Sequence, residues 1–175
     1  MKIPASALAT LFLLLGQLHA IAQQAAYDAE DIIEFFGASQ EPATRGICVG
    51  DDAACETKTK PGAVTAFDLL ITFDKNSADL SESAQNNLLQ FSAAMRHPKL
   101  AASRFAVEGF TDASGSDVYN LELSQRRAQS VVLFLQELGI EPLRLQAAGL
   151  GETRMRMADA YDPGNRRVET HIIAE

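Results

Sequence analysis

Arg126 and Arg127 stand side by side in the segment Leu123-Ser124-Gln125-Arg126-Arg127-Ala128, and a helix through them can offer only one to a binding site. With successive residues placed 100° apart, Leu121, Ala128, Val131, Val132, Leu135 and Leu138 form an apolar stripe. Arg126 then points away from the stripe. Arg127 lies on its border, with Asn120 about 20° away on the same border two turns earlier. A guanidinium so placed can hold a carboxylate through two parallel hydrogen bonds. Asp112 lies in the Gly/Ser-containing loop from Thr111 to Ser116, where it either closes a turn with its own side chain or receives a cation. Of the basic pair Arg166-Arg167, one is expected at a strand edge in solvent. Glu108 and Glu152 read as structural or solvated carboxylates, and Phe73 and Phe110 as core or groove rings.

Arrangements for covalent chemistry are missing from the sequence. There is no nucleophile elbow and no HExxH, and Gly149-Leu150-Gly151-Glu152 lacks the lysine and the following helix of a phosphate loop. Recognition without catalysis or cofactor is the expectation. The cysteines, Cys48 and Cys55, are seven positions apart with no CxxC spacing, and His97 and His171 are distant in sequence. A small-loop disulfide is expected rather than a metal site, worth about 2–3 kcal/mol on the chain-entropy view.

Several elements must position these residues. Tyr27 to Phe36 predicts a short helix with acids in its first turns and Gly37 as its stop; Ile32, Ile33, Phe35 and Phe36 are expected to dock on the domain that follows. Residues 38–66 contain Pro42, Gly46, Gly50, Pro61 and Gly62 and read as irregular. Leu69 to Phe73 suits an interior strand. Ser81 opens a helix to Arg96 with Ala84, Leu88, Phe91 and Met95 at helical spacing, ended by His97-Pro98. Arg104 to Phe110 alternates as a strand. A second helix runs from Asp117 to Leu138 with Gly139 as its stop. Strands follow at Leu143 to Ala148 and near Arg167 to Ile173. Two strand–helix–strand passes and a terminal strand predict an α/β (α+β) domain, βαβαββ, with one sheet and helices on one face.

The N-terminus reads as an export signal. Met1-Lys2 precedes an apolar run through Leu15, and Ala20-Ile21-Ala22 offers a small-x-small cleavage pattern. Gln17 and His19 interrupt a run that would need roughly 20 apolar residues to span a bilayer, though an uncleaved anchor is the alternative. Cleavage after Ala22 moves the formal charge from −8 to −9, since Lys2 is the one charged residue removed. Residues 23–60 carry eight acids against Arg45, Lys58 and Lys60. Without a basic block, nucleic acid and anionic lipid are not expected partners. Binding any anionic ligand would require a few placed cations. The expected organisation is a signal peptide at 1–22, an extension with a helix and the cysteine loop at 23–66, and a domain at 67–175.

Residues 67–175 resemble the OmpA-like C-terminal domain family, which includes OmpA, Pal and MotB. Five pieces carry the resemblance in order: Ile71-Thr72-Phe73-Asp74 with Ser77 and Leu80; Gly109-Phe110-Thr111-Asp112 with Gly115 and Asn120; Leu123 to Ala128; Gly149 to Glu152; and Asn165-Arg166-Arg167-Val168-Glu169. The resemblance implies a two-layer sandwich on a mixed four-stranded sheet that binds peptidoglycan in the periplasm of a Gram-negative envelope. It implies that Asp112 takes the ammonium and Arg127 the carboxylate of the diaminopimelate in the stem peptide, with Thr111, Asn120, Arg166 and Arg167 around them. Phe110 stands where the family usually has His, and Met155 where it usually has Pro. The alternative role is an envelope-assembly or stator-like anchor that uses the domain as a scaffold, with residues 23–66 contacting an outer-membrane or envelope protein.

Overall fold

A computed structural model describes residues 25–40 and 66–173; the expected signal peptide and Cys48–Cys55 bond lie outside them. The elements are α1 (Ala29–Gln40), β1 (Phe67–Thr72), α2 (Glu82–Arg96), β2 (Phe105–Gly109), α3 (Asp117–Glu137), β3 (Leu145–Gly149) and β4 (Arg167–Ile172). The sheet order is β1-β4-β2-β3. Strand β4 inserts antiparallel to both β1 and β2, while β2 and β3 run parallel. This is the mixed four-stranded sheet that the family resemblance implied. No helix among the described residues is long and apolar enough to cross a membrane.

The helix boundaries follow local chemistry. Ser81 and Ser116 cap α2 and α3, each hydroxyl accepting from the amide three residues on, which satisfies a donor the helix leaves open. Gly139 ends α3 with φ +86°, a conformation costly for a residue with a Cβ. Helices α2 and α3 bury Leu88, Phe91, Met95, Val131 and Leu135 against Leu69, Ile71, Phe105, Val107 and Val168 of the sheet. Helix α3 reaches β2 and β3 by backbone approach. A Cβ on Gly109 would lie 2.2 Å from the Ser124 carbonyl oxygen, and one on Gly149 2.4 Å from the Gln125 amide nitrogen.

Four local expectations need correction. Helix α1 continues through Gly37 to Gln40; burial of Ile32, Ile33 and Phe36 in the shared core outweighs the roughly 1 kcal/mol helix cost of one glycine. The expected docking is present, with Phe35 packed partly buried against the same core. Tyr27 adds a hydrogen bond from its hydroxyl to the Leu69 carbonyl. Strand β2 is buried at all five positions rather than alternating, because it lies between β3 and β4 and Arg154 covers the outward Glu108 at 3.3 Å. Strand β3 starts at Leu145, since Pro142–Arg144 form a 3-10 turn whose Arg144 donates to the Met95, Leu100 and Ser103 carbonyls. Finally, Leu121 is 52% exposed and does not belong to the buried stripe of α3.

Candidate functional site

Removing Leu121 from the stripe rotates the buried face of α3 onto Asn120, Leu123, Ser124, Arg127, Ala128, Val131, Val132 and Leu135. Arg127 therefore lies within that face rather than on its border, with 0% exposure. Its Nε donates to the Ser77 carbonyl (2.9 Å), Nη1 to Phe110 (3.3 Å) and Nη2 to Asp74 (3.0 Å). The guanidinium carbon lies 4.9 Å from the centre of the Phe73 ring. One side chain thus ties α3 to the loop after β1 and to the loop after β2. A guanidinium has five N–H donors, so each terminal nitrogen retains one N–H beyond these bonds. Burial, and secondarily the Arg166 cation, lowers the Arg127 pKa to about 10. Arg126 faces solvent, within 4.0 Å of Glu122.

Asp112 follows β2 and is 5% exposed. Its Oδ2 accepts from Arg166 Nη1 at 2.8 Å and its Oδ1 from the Ser114 amide at 3.0 Å. Burial by itself would raise this carboxyl; Arg166 and Ser114 outweigh it and hold it below the ordinary aspartate value. The turn-closing role and the ion-pair role therefore coexist in one side chain. Arg166 also donates from Nε to the Phe73 carbonyl. It forms one wall of a cleft of about 460 Å³ bounded by Phe73, Asp74, Asp79, Leu80 and Gly164.

The remaining candidates divide. Asn120 is buried and is not the cap of α3, a role taken by Ser116. Its Nδ2 donates to the Asp112 carbonyl and to Glu152, fastening the Asp112 loop to the turn after β3. Its Oδ1 and the buried Thr111 hydroxyl have no partner among the described residues. Arg167 does not join the cleft: it pairs with Glu169 (2.6 Å), donates to the Arg154 carbonyl and lies 4.1 Å over the Phe110 ring. Of the basic pair, Arg166 faces the groove. Phe110 is core, and Phe73 is both core and cleft wall.

Sequence reasoning assigned no role to the Asp74 and Ser77 carbonyls, to Ser114 or to Asn165. The buried Asn165 accepts from the Arg156 and Met157 amides and donates to the Asp159 carbonyl, which shapes the loop delivering Arg166. Backbone acceptors leave no trace in residue type, so only the Asx-type loop composition hinted at these positions.

A mixed four-stranded sheet with its helices, carrying a buried carboxylate paired to an arginine that lines an open cleft, makes this a domain of OmpA-like type. The OmpA family pattern matches residues 72–169, and the chain belongs to that family. It is 38% identical over 113 residues to outer membrane porin F of Pseudomonas fluorescens, covering 62% of this chain and 33% of that protein. The first curated relatives are covered over 33% to 60% of their length. Among solved structures, the OmpA-like domain of FopA1 from Francisella tularensis aligns with TM-score 0.54 at 23% identity, covering 59% of this chain and 71% of that one. The peptidoglycan-associated lipoprotein of Burkholderia pseudomallei aligns with TM-score 0.50 at 25% identity, covering 59% and 86%.

Proposed function

We propose that this protein binds peptidoglycan without catalysis, through the diaminopimelate residue of the stem peptide, as an exported periplasmic component of a Gram-negative envelope. The observation that carries the reading is the buried Asp112 carboxylate, held ionised by Arg166, which itself lines the cleft, with the Arg127 cation close enough to interact with it electrostatically. An amino acid side chain that ends in both an ammonium and a carboxylate meets this arrangement with opposite charges on both sides. Asp112 receives the ammonium and Arg166 the carboxylate, with the buried Arg127 adding its positive charge behind them. Asn120 and Thr111 hold the Asp112 loop and supply polar atoms beside it. The relationship to a peptidoglycan-associated lipoprotein supports the choice of ligand, and the absence of a nucleophile–base motif from the sequence supports a binding role. Helix α1 with residues 67–175 forms the binding unit.

Isothermal titration of the exported protein with a diaminopimelate-containing muropeptide tests the reading. Asp112→Asn leaves the ligand ammonium unpaired in a desolvated site, which costs about 2–5 kcal/mol, or roughly 30-fold or more in affinity. Arg126→Ala, on the solvent side of α3, should change binding by less than about 1 kcal/mol. Equal affinities for wild type and Asp112→Asn would overturn the assignment.

A further inference from the structure

Asp112 is already occupied. One carboxylate oxygen takes the Ser114 amide and the other takes Arg166, and at 5% exposure there is little open surface on which a further cation could gather. A ligand ammonium must therefore displace a donor. Arg127 is anchored by three backbone carbonyls. The Arg166 side chain makes one bond to backbone, to the Phe73 carbonyl at 3.3 Å, and is 21% exposed at the cleft. Arg166 is the donor that can be exchanged.

Resting on the proposed peptidoglycan site, we infer that Arg166 is its specificity-determining residue, an internal counter-ion that closes Asp112 to simple cations and yields it only to a ligand bringing its own carboxylate. Charge counting gives the reason. Asp112, Arg127 and Arg166 together carry one net positive charge. A lysine-type ammonium entering this site raises the local charge to two, leaves Arg166 without its partner, and supplies nothing in return. A zwitterionic terminus leaves the net charge unchanged, because its carboxylate takes over Arg166 as its ammonium takes over Asp112. Asp74 and Asp79 also border the cleft, but both are exposed and are screened by solvent and salt. Discrimination between the two ligands therefore arises from an unpaired charge created against the wrong one, a repulsive element as well as an attractive one.

The prediction concerns a ratio, which a merely structural role for Arg166 would not move. Two stem tripeptides are titrated into the full exported chain, one ending in diaminopimelate and one in lysine, differing by the carboxylate beside the side-chain ammonium. Wild type should prefer the diaminopimelate peptide by about tenfold or more, the scale of one unpaired charge. Arg166→Gln should reduce that preference to about threefold or less and bind the lysine peptide more tightly than wild type does. Arg166→Lys, which keeps the charge, should retain the preference. If Arg166→Gln weakens both peptides by the same factor, or leaves the ratio at its wild-type value, the inference is wrong while the site stands. If Asp112→Asn binds the diaminopimelate peptide as wild type does, the site itself is wrong, and the inference falls with it.

Discussion

Replacing Arg127 by Met, which has similar length and no donors, isolates what the buried guanidinium does for the fold. Hydrogen bonds to a charged group contribute about 1.5–3 kcal/mol each, net of their exchange with water, so those to Ser77, Phe110 and Asp74 are together worth about 4.5 kcal/mol or more. A buried Met side chain returns about 1.5 kcal/mol or more of apolar burial. The difference favours the arginine, and Arg127→Met should destabilise the protein by about 3 kcal/mol. With a urea slope of about 2 kcal/mol per molar, the midpoint followed by circular dichroism should fall by about 1.5 M. Arg126→Met, one residue along and in solvent, should shift it by less than about 0.25 M. Equal shifts for the two variants would refute the assignment of Arg127 as the tie between α3 and the two loops.

Gly109→Ala would set a methyl group 2.2 Å from the Ser124 carbonyl oxygen. The clash is with backbone, so a loss of about 3 kcal/mol or more is expected in thermal unfolding; a loss below about 0.5 kcal/mol would show that α3 does not approach β2 so closely. Leu70 sits at φ +49° in an irregularity of β1 and is 48% exposed. Leu70→Asn should raise stability by about 1 kcal/mol through relief of left-handed strain, and a fall in melting temperature would argue against that strain. Asp112 has a folded pKa below its ordinary 3.8, so its stabilising contribution is complete above 3.8 and is lost as pH falls through the lower folded value. The stability gap between wild type and Asp112→Asn should hold constant from pH 7 to 5 and close below pH 3.8; a gap that closes already near neutrality would exclude an ionised, paired Asp112 as its source.

Much of this architecture is local and was legible in residue order. Ser81 and Ser116 cap helices because their hydroxyls reach amides three residues away, and Gly139 stops α3 because it tolerates a positive φ. The spacing of Ala84, Leu88, Phe91 and Met95 announced one buried helix face, and the motif around Asp112 announced the loop that carries the carboxylate. The orientation of α3 was less legible. An apolar residue at 121 drew the inferred stripe to one side, since periodicity weighs residue type and cannot weigh three backbone carbonyls waiting for a buried guanidinium at 127.

By itself the sequence determined the order of strands and helices, the ends of α2 and α3, and the choice of Arg127 over Arg126 as the inward arginine. These depend on interactions within a few residues of chain and on a 3.6-residue repeat. Only the tertiary structure decided that Arg127 is buried as a tie, that Arg166 rather than Arg167 closes on Asp112, and that α1 shares the core across the intervening residues. Each is a contact between segments far apart in the chain, the Asp112–Arg166 pair across 54 positions and the Arg127–Asp74 bond across 53. Such contacts depend on where β4 inserts into the sheet, which no local pattern encodes.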